Sequence, residues 1–279
     1  MKILVTGATG FIGNYVVNEL VFNGDEVIVL GRDIEKASHF NWFKKVMFIH
    51  YEFGEIISEE IFEKIKGVDK LINLSWSGLP NYNSIEHIEN NLLQQYYFIK
   101  QLVLFNIRDI TVTGTCFEYG NVNGPLDSRM QSNPTNPYAL AKDTLRKMLQ
   151  FLQKEQDFNL KWVRLFYMYG KGQSKHSILS QLDNAIDGGL TEFNMSGGEQ
   201  LRDYLPIESV TKDLIRFAKM DSNLGVVNLA SGIPISIRKL VENHLREKNK
   251  TIKLNFGFYP YPNYEPMAFW GVPFAKDSD

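Results

Sequence analysis

The chain has 279 residues, of which 44% are hydrophobic, so it can bury a large core as one large domain or two unequal ones. Its formal net charge of −2 gives no reason to expect a nucleic acid or an acidic membrane surface as a partner. The single cysteine, Cys116, excludes an internal disulfide framework and a multi-cysteine metal site, and no metal is expected.

The first predicted element is a buried strand, Lys2–Thr6, and three glycines follow it at regular spacing. Apolar residues then recur at helical spacing up to Phe22, and residues 25–30 read as a second strand. A strand, a glycine turn and a helix form the unit that holds a dinucleotide diphosphate on a helix N-terminus. The predicted cofactor contacts in this loop are Gly7, Thr9, Gly10, Phe11, Ile12 and Gly13.

Strands and helices continue to alternate through the first half of the chain. Strands are predicted at 46–51, 70–74, 109–113 and 161–166, and helices at 34–43, 58–66, 84–105 and 137–155. This alternation predicts an α/β protein with a Rossmann doubly wound parallel sheet. Ligands of such sheets bind outside the carboxyl ends of the strands.

The second part of the chain has shorter elements and more glycine, serine and proline. We predict a dinucleotide-binding domain at residues 1–166, to which residues 205–221 return as a helix. Residues 167–204 and 222–279 are predicted to form a smaller, interleaved α/β domain that binds the substrate.

A tyrosine and a lysine four residues apart, Tyr138 and Lys142, are predicted to share one helix face. A free tyrosine has a pKa of about 10, and nearby positive charge favours its phenolate. The pair could therefore exchange a proton with a substrate hydroxyl or carbonyl while a hydride moves. Thr115, at the end of the preceding strand, could offer a second hydroxyl to the same oxygen.

The Gly-x-x-Gly-x-x-Gly spacing at 7–13 resembles the extended short-chain dehydrogenase/reductase family, the NAD(P)-dependent nucleotide-sugar epimerases, dehydratases and reductases. The resemblance covers nearly the whole chain and includes Thr113-Gly114-Thr115, Tyr138 with Lys142, and residues 163–170. It implies Thr115, Tyr138 and Lys142 as catalytic residues. Further cofactor contacts expected here are Phe53, Leu74, Ser75, Trp76, Asn91, Thr113, Tyr138 and Lys142.

The resemblance also implies a nucleotide-diphosphate sugar as the substrate, with Arg202 gripping its diphosphate. The other expected substrate contacts are Trp76, Thr115, Cys116, Phe117, Tyr138, Tyr167 and His176. Trp76 is unusual for the family, and Tyr167 stands where the family often has an asparagine.

The end of the second strand bears on the choice of cofactor. An acid there binds the ribose 2′-hydroxyl of NAD, whereas an arginine accommodates the 2′-phosphate of NADP. Arg32 comes first and Asp33 one place later, so NADP is the preferred expectation and NAD stays open.

The residues after Thr115 bear on the reaction. The family's 4,6-dehydratases carry Asp-Glu there, whereas this chain has Cys116 and Phe117, with Glu118 one place late. The 3,5-epimerase/reductases place a cysteine at the position of Phe117 beside a histidine that His176 resembles. The cysteine of that acid–base pair is missing, which argues against double epimerisation. The reactions that remain are 4-reduction and 4-epimerisation.

Arg32 favours reduction, because a reductase commonly consumes NADPH whereas an epimerase retains NAD. The chain is closest in look to bacterial nucleotide-diphospho-4-keto-6-deoxyhexose 4-reductases, which implies a role in surface-polysaccharide sugar biosynthesis. The alternatives are a 4-epimerase and a non-catalytic NAD(P)-sensing regulator.

The resemblance further implies a homodimer through the helices at 84–105 and 137–155. Their apolar residues are equally explained as core: Leu92, Tyr96, Ile99, Leu145, Met148 and Leu152. The absence of a long apolar run, and a strand beginning at Lys2, predict a cytoplasmic protein without a signal peptide or membrane span.

Overall fold

The computed structural model describes residues 1–261 and 265–274. The strands are β1 (Lys2–Thr6), β2 (Glu26–Gly31), β3 (Met47–His50), β4 (Lys70–Asn73), β5 (Asp109–Thr115), β6 (Gly124–Leu126), β7 (Asn159–Leu165), β8 (Tyr167–Tyr169), β9 (Glu192–Asn194), β10 (Leu201–Arg202), β11 (Tyr204–Pro206), β12 (Gly225–Leu229), β13 (Ile235–Ser236), β14 (Lys253–Asn255) and β15 (Phe269–Gly271). The α-helices are α1 (Phe11–Phe22), α2 (Ile34–Ser38), α3 (Glu59–Lys64), α4 (Leu92–Leu104), α5 (Pro137–Leu152), α6 (Ile178–Asp187), α7 (Ile207–Lys219) and α8 (Ile237–Glu247).

Seven strands form one parallel sheet in the order β12-β7-β5-β4-β1-β2-β3. The order reverses at β1, where the chain leaves for β2 on one side and β4 lies on the other. The central strands are apolar and buried on both faces, as parallel strands covered by helices must be. The predicted doubly wound Rossmann sheet is confirmed.

Each face of the sheet has its own core. Leu4 of β1 packs into a cluster with α4 and α5, whereas Ile3 and Val5 pack on the opposite face with α1 and α7. This division follows from the alternation of side chains along a strand. The helix predicted to return to the sheet is α7, which packs against α1. The division of the chain into two domains stays a prediction.

A separate apolar cluster joins α6 and α8 with β9 and β14. These elements come from the part of the chain predicted to bind the substrate, and short strand pairs connect them. Residues 262–264 and 275–279 of that predicted domain lie outside the described residues.

Several predicted boundaries were wrong. The helix predicted at 34–43 ends at Ser38, whose hydroxyl donates to the Glu35 carbonyl at 2.6 Å. Beyond it, Trp42 turns into the core at 1% exposure and donates its indole N–H to the Asn14 side chain at 3.0 Å. Burying this large aromatic ring outweighs a longer helix on the surface.

The helix predicted at 84–105 begins later and irregularly. Residues His87–Asn91 make one wide π-helical turn before α4. The predicted strand at 109–113 continues through Thr115, while α5 stops at Leu152 and β7 begins at Asn159. Across residues 1–261 and 265–274, no helix is both long and apolar enough to cross a membrane.

Candidate active site

The glycine loop between β1 and α1 brings the backbone close to the end of β4. Gly7 adopts a φ of +72°, and a Cβ atom there would lie 2.8 Å from the Ser75 nitrogen. A Cβ atom on Gly13 would lie 2.1 Å from the Gly7 carbonyl oxygen. No side chain caps α1, so its first N–H groups remain available to an anion. These residues therefore fit a dinucleotide diphosphate.

A cleft of about 740 Å³ opens beside this loop, at the carboxyl ends of the strands. Nine of the residues expected to contact the cofactor line it: Gly7, Thr9, Gly10, Arg32, Phe53, Leu74, Ser75, Trp76 and Asn91. The remaining ones are not among the residues that line it: Phe11, Ile12, Gly13, Thr113, Tyr138 and Lys142. Four further residues, which no sequence motif indicated, also line the cleft: Lys36, Ser77, Gln94 and Gln95.

Opposite charges meet where β2 ends. Arg32 and Lys36 both line the cleft, together with Asp33. The Asp33 carboxylate accepts the backbone N–H of Lys36 at 2.8 Å and thereby caps α2. This contact occupies one oxygen of the acid, while the exposed Arg32 guanidinium forms no such contact among the described residues.

The three residues implied as catalytic lie close to one another. Thr115 ends β5, and Tyr138 and Lys142 lie on the first turns of α5, which Asn136 caps through its side chain. Lys142 donates to the Thr113 carbonyl at 2.8 Å. All three side chains are buried.

Burial shifts the pKa values of this pair in opposite directions. It raises the pKa of Tyr138, which the neighbouring Tyr82 and Glu118 also raise, while a hydrogen bond with Thr115 lowers it. Burial also lowers the pKa of Lys142 to about 7, against the opposing effect of Glu118. The expected phenolate is not favoured here, because desolvation dominates and favours the neutral forms of both side chains.

Glu118 has a structural role that its sequence position did not reveal. Its carboxylate is fully buried, accepts Thr115 N–H at 2.9 Å and pairs with Arg164 Nε at 2.7 Å. The Trp162 indole donates to the same carboxylate at 3.0 Å. Glu118 therefore anchors the end of β5 through Thr115. It is not among the residues that line the cleft, where a dehydratase acid would be expected.

A second missed residue is His87, in the irregular turn before α4. His87 is fully buried, with Nδ1 3.1 Å from the Trp76 indole nitrogen and Nε2 2.8 Å from the Asn81 carbonyl. Asn91 accepts the Ser77 hydroxyl at 2.5 Å and donates to the Ser77 carbonyl at 3.0 Å. These bonds fix the segment that follows β4 against the cleft.

A chain of aromatic rings begins at Tyr138. Tyr82 packs against Tyr138 at 5.5 Å and against Phe117 at 5.3 Å between ring centroids. Phe117 in turn lies 6.4 Å from Tyr167. Cys116 is buried, and burial raises its pKa to about 12, so its thiol is a poor acid or base.

The residue expected to grip the diphosphate, Arg202, has a carboxylate partner within the chain. Its guanidinium is 2% exposed, pairs with Glu265 at 2.8 Å and lies 4.4 Å from the centre of the Phe269 ring. Tyr167 donates to the other Glu265 oxygen at 3.3 Å. Arg202 is thus preordered, and Glu265 already balances its charge.

His176 lies apart from these groups. It is exposed in the turn before α6, where its carbonyl accepts Gln181 Nε2 at 2.7 Å. No contact in the described part of the chain joins its ring to Thr115 or Tyr138, so the structure does not bring it to the catalytic residues.

Sequence comparison shows the family of the chain. The model of the NAD dependent epimerase/dehydratase family matches residues 3–230. The chain belongs to this family. The resemblance to extended short-chain dehydrogenases/reductases is therefore confirmed, and the chain is an enzyme of this NAD-dependent family.

Individual relatives differ in the reaction they are named for. A dTDP-6-deoxy-L-talose 4-dehydrogenase (NAD(+)) from Aggregatibacter actinomycetemcomitans is 32% identical over 273 residues, covering 98% of this chain and 100% of that protein. A dTDP-4-dehydro-6-deoxyglucose reductase from Escherichia coli is 25% identical, over 91% of this chain and 84% of its own.

Solved structures share the fold. A UDP-glucuronic acid 4-epimerase from Bacillus cereus, in complex with UDP-glucuronic acid and NAD, superposes with a TM-score of 0.82. It is 19% identical to this chain, and the match covers 98% of this chain and 90% of that one.

Proposed function

We propose that the protein reduces the C4 keto group of a nucleotide-diphospho-4-keto-6-deoxy sugar with NAD(P)H. The observation that carries this proposal is the convergence of Thr115, Tyr138 and Lys142 beside the glycine-loop cleft. The two relatives described above are named for chemistry at C4 of dTDP-linked 6-deoxy sugars. A reductase and a 4-dehydrogenase catalyse one equilibrium from opposite sides.

The geometry suits a single proton transfer at one carbon. Within the described residues, the acids and bases that a second step would need are engaged or distant. Glu118 is held by Arg164, Cys116 is a buried thiol of raised pKa, and His176 is exposed elsewhere. Dehydration and double epimerisation, which need a further acid–base pair, are therefore disfavoured.

The chain's own residues would act as follows. When bound, the nicotinamide supplies the hydride to C4. Tyr138, kept protonated by burial, donates its proton to the developing C4 alkoxide, and Thr115 donates a hydrogen bond to the same oxygen. Lys142 holds the ribose with the donors that Thr113 leaves free.

Loss of reduced-nicotinamide absorbance tests the proposal directly. GDP-, dTDP- and CDP-linked 4-keto-6-deoxyhexoses, made in place by matching dehydratases, would be offered with NADPH and with NADH. Stoichiometric oxidation with one of them is the expected result. Absence of oxidation, with tightly bound NAD released when the protein is denatured, would replace the proposal by 4-epimerisation. Redox-silent binding of added cofactor with every sugar would instead indicate a sensing regulator.

We propose further that NADPH is preferred to NADH. Arg32 and Lys36 place two positive charges at the end of β2, and the Asp33 carboxylate is engaged by the α2 backbone. The name of the Aggregatibacter relative specifies NAD(+), so the comparison does not itself favour NADP.

Replacing Arg32 with alanine tests this preference. Arg32→Ala should weaken NADPH binding by about tenfold or more, because a charge-assisted bond to the 2′-phosphate is lost, and leave NADH binding nearly unchanged. Titration of both cofactors by fluorescence measures the two effects. Asp33→Asn serves as the matched control, and equal weakening of both cofactors by Arg32→Ala would refute the 2′-phosphate contact.

A further inference from the structure

Trp76 meets both members of the tyrosine–lysine pair. Its indole lies in the segment after β4, and the Lys142 ammonium lies over the ring at 4.1 Å from the ring centre. The Tyr138 ring packs edge-on against it, with centroids 5.9 Å apart and an interplanar angle of 73°. One side chain therefore fixes the spacing of the two groups from outside their own helix.

The indole is itself held by a buried histidine. An indole N–H can only donate, so Nδ1 of His87 must accept it, and Nε2 must carry the proton donated to the Asn81 carbonyl. This pattern specifies one neutral tautomer of His87. Since His87 is fully buried and bonded on both nitrogens, the plane of the Trp76 ring is set by the fold.

The Trp76 ring compensates the buried positive charge of Lys142. A buried ammonium needs a compensating partner, yet the nearby Glu118 carboxylate is engaged by Arg164 and Trp162. The face of an indole attracts a cation and uses none of its N–H donors. Lys142 donates to the Thr113 carbonyl, and its other two donors form no hydrogen bond within residues 1–261 and 265–274.

We propose that Trp76, clamped by His87, is a positioning residue that keeps the Lys142 ammonium charged and aligned with Tyr138. The inference rests on the proposed function in taking these two residues as the reacting pair. Trp76 would thus do more than line the cofactor cleft, the role expected of its position.

The first test follows the Lys142 ammonium by NMR, without turnover. Lysine labelled with ¹⁵N at Nζ, assigned through the signal lost in Lys142→Met, gives the pKa of Lys142. Trp76→Ala should lower that pKa by about one unit, because the charged form loses its π partner, and Trp76→Phe by less. Among the described residues, Glu118 is the charged group that acts on the pKa of Lys142, Tyr138 lies one helical turn before it, and His87 packs on the Tyr138 ring; none of them is changed. An unchanged pKa in Trp76→Ala would overturn the proposal.

The second test measures the pH profile of kcat. Trp76→Ala should move the alkaline limb down by about one pH unit and lower kcat about tenfold at alkaline pH. In Trp76→Phe, the position of the alkaline limb and kcat at alkaline pH should both lie close to their wild-type values. A purely structural role would not predict this recovery. His87→Asn keeps an acceptor near Nδ1 and should resemble wild type, whereas His87→Leu should resemble Trp76→Ala. A parallel loss of stability without any shift of the limb would count against the proposal.

The two tests separate the two proposals. If the wild-type protein shows no turnover and Trp76→Ala still lowers the Lys142 pKa, the reductase proposal fails and the role of Trp76 stands. If the wild type turns over normally and neither the pKa nor the limb moves, the role of Trp76 fails alone.

Discussion

At the residue scale, the burial of Tyr138 and Lys142 dominates the chemistry of the site. Desolvation raises the pKa of the phenol and lowers the pKa of the ammonium to about 7. A phenol that keeps its proton is the form that can donate to an alkoxide, so burial suits reduction. The lysine then depends on specific contacts, to Thr113 and Trp76, for its charged form.

Tyr138→Phe isolates the proton transfer. The substitution removes the donor and keeps the ring that packs against Tyr82 and Trp76, so turnover should fall by about 10²- to 10⁴-fold with little change in cofactor binding. Tyr119→Phe, which removes a buried hydroxyl bonded to Asn228, is the control for the loss of a buried tyrosine hydroxyl. Steady-state assays measure the turnover of both variants, and titration measures their cofactor affinity. Undiminished turnover in Tyr138→Phe would exclude Tyr138 as the general acid.

Lys142→Met should stabilise the fold while abolishing turnover. The folded pKa of Lys142, about 7, lies below its unfolded value near 10.5. Burying the charged Lys142 therefore lowers the free energy of unfolding. This destabilisation is complete below pH 7 and disappears as the pH rises through 10.5. At neutral pH we expect a gain of about 2 kcal/mol, or roughly 4 °C in Tm, after the loss of the bond to Thr113.

Thermal melts at neutral and strongly alkaline pH check this sign. The gain from Lys142→Met should shrink as the pH rises, because wild-type Lys142 then unfolds without taking up a proton. Lys44→Met, at an exposed position, should show neither the gain nor its pH dependence. A gain that is the same at both pH values would contradict the assigned cause.

At the element scale, the contact between β1 and α1 decides how the cofactor loop is built. The start of α1 lies so close to the loop that a Cβ atom at Gly13 would overlap Gly7 and Ala8 backbone atoms at 2.1 and 2.7 Å. Backbone neighbours cannot rotate aside as a flexible side chain can. The helix would have to move away from the strand.

Gly13→Ala should therefore damage both stability and cofactor binding. We expect a loss of about 3 kcal/mol, since overpacking against backbone is costly, together with much weaker NAD(P)H binding. Gly10→Ala is the matched control for stability alone, because its Cβ atom would approach only one protein atom, at 3.2 Å, and its φ of −82° is ordinary. Melting curves and cofactor titrations compare the two, and wild-type values for Gly13→Ala would show that the loop is not packed as described.

At the scale of the whole molecule, α4 and α5 present apolar side chains to solvent. The residues named as candidates for a dimer contact belong to the core instead: Leu92, Ile99, Leu145 and Leu152 are buried, and Tyr96 and Met148 pack against them. A different set is exposed on the same two helices: Leu93, Tyr97, Leu104, Leu140 and Phe151. Apolar stripes on two adjacent helices are a surface that a second copy of the chain could cover.

A homodimer through this surface stays a prediction. Leu104 and Phe151 are 58% and 66% exposed, so replacing both with glutamate should leave the fold intact and convert a dimer into a monomer. Light scattering measures the mass. Leu190→Glu, at a position 61% exposed beyond these helices, should not change it. A monomeric wild type, or a dimer that survives both substitutions, would refute the prediction.

The sequence alone determined the features that depend on local spacing. The period of the apolar residues predicted the alternating strands and helices, and the glycine spacing predicted the loop at the start of α1, since both reflect contacts between near neighbours in the chain. Family motifs then pointed to Thr115, Tyr138 and Lys142. The end of α2 was missed, because the packing of Trp42 in the core overrides local propensity.

Only the tertiary structure decided which side chains support and balance the site. Glu118 and Arg164, and likewise Arg202 and Glu265, are brought together from separate elements by the fold. The role of His87 likewise depends on Trp76, which lies in the segment after β4 and lines the cleft. Burial, which sets the pKa of Tyr138 and Lys142, is a property of the whole packed molecule, so no local pattern of residues could reveal it.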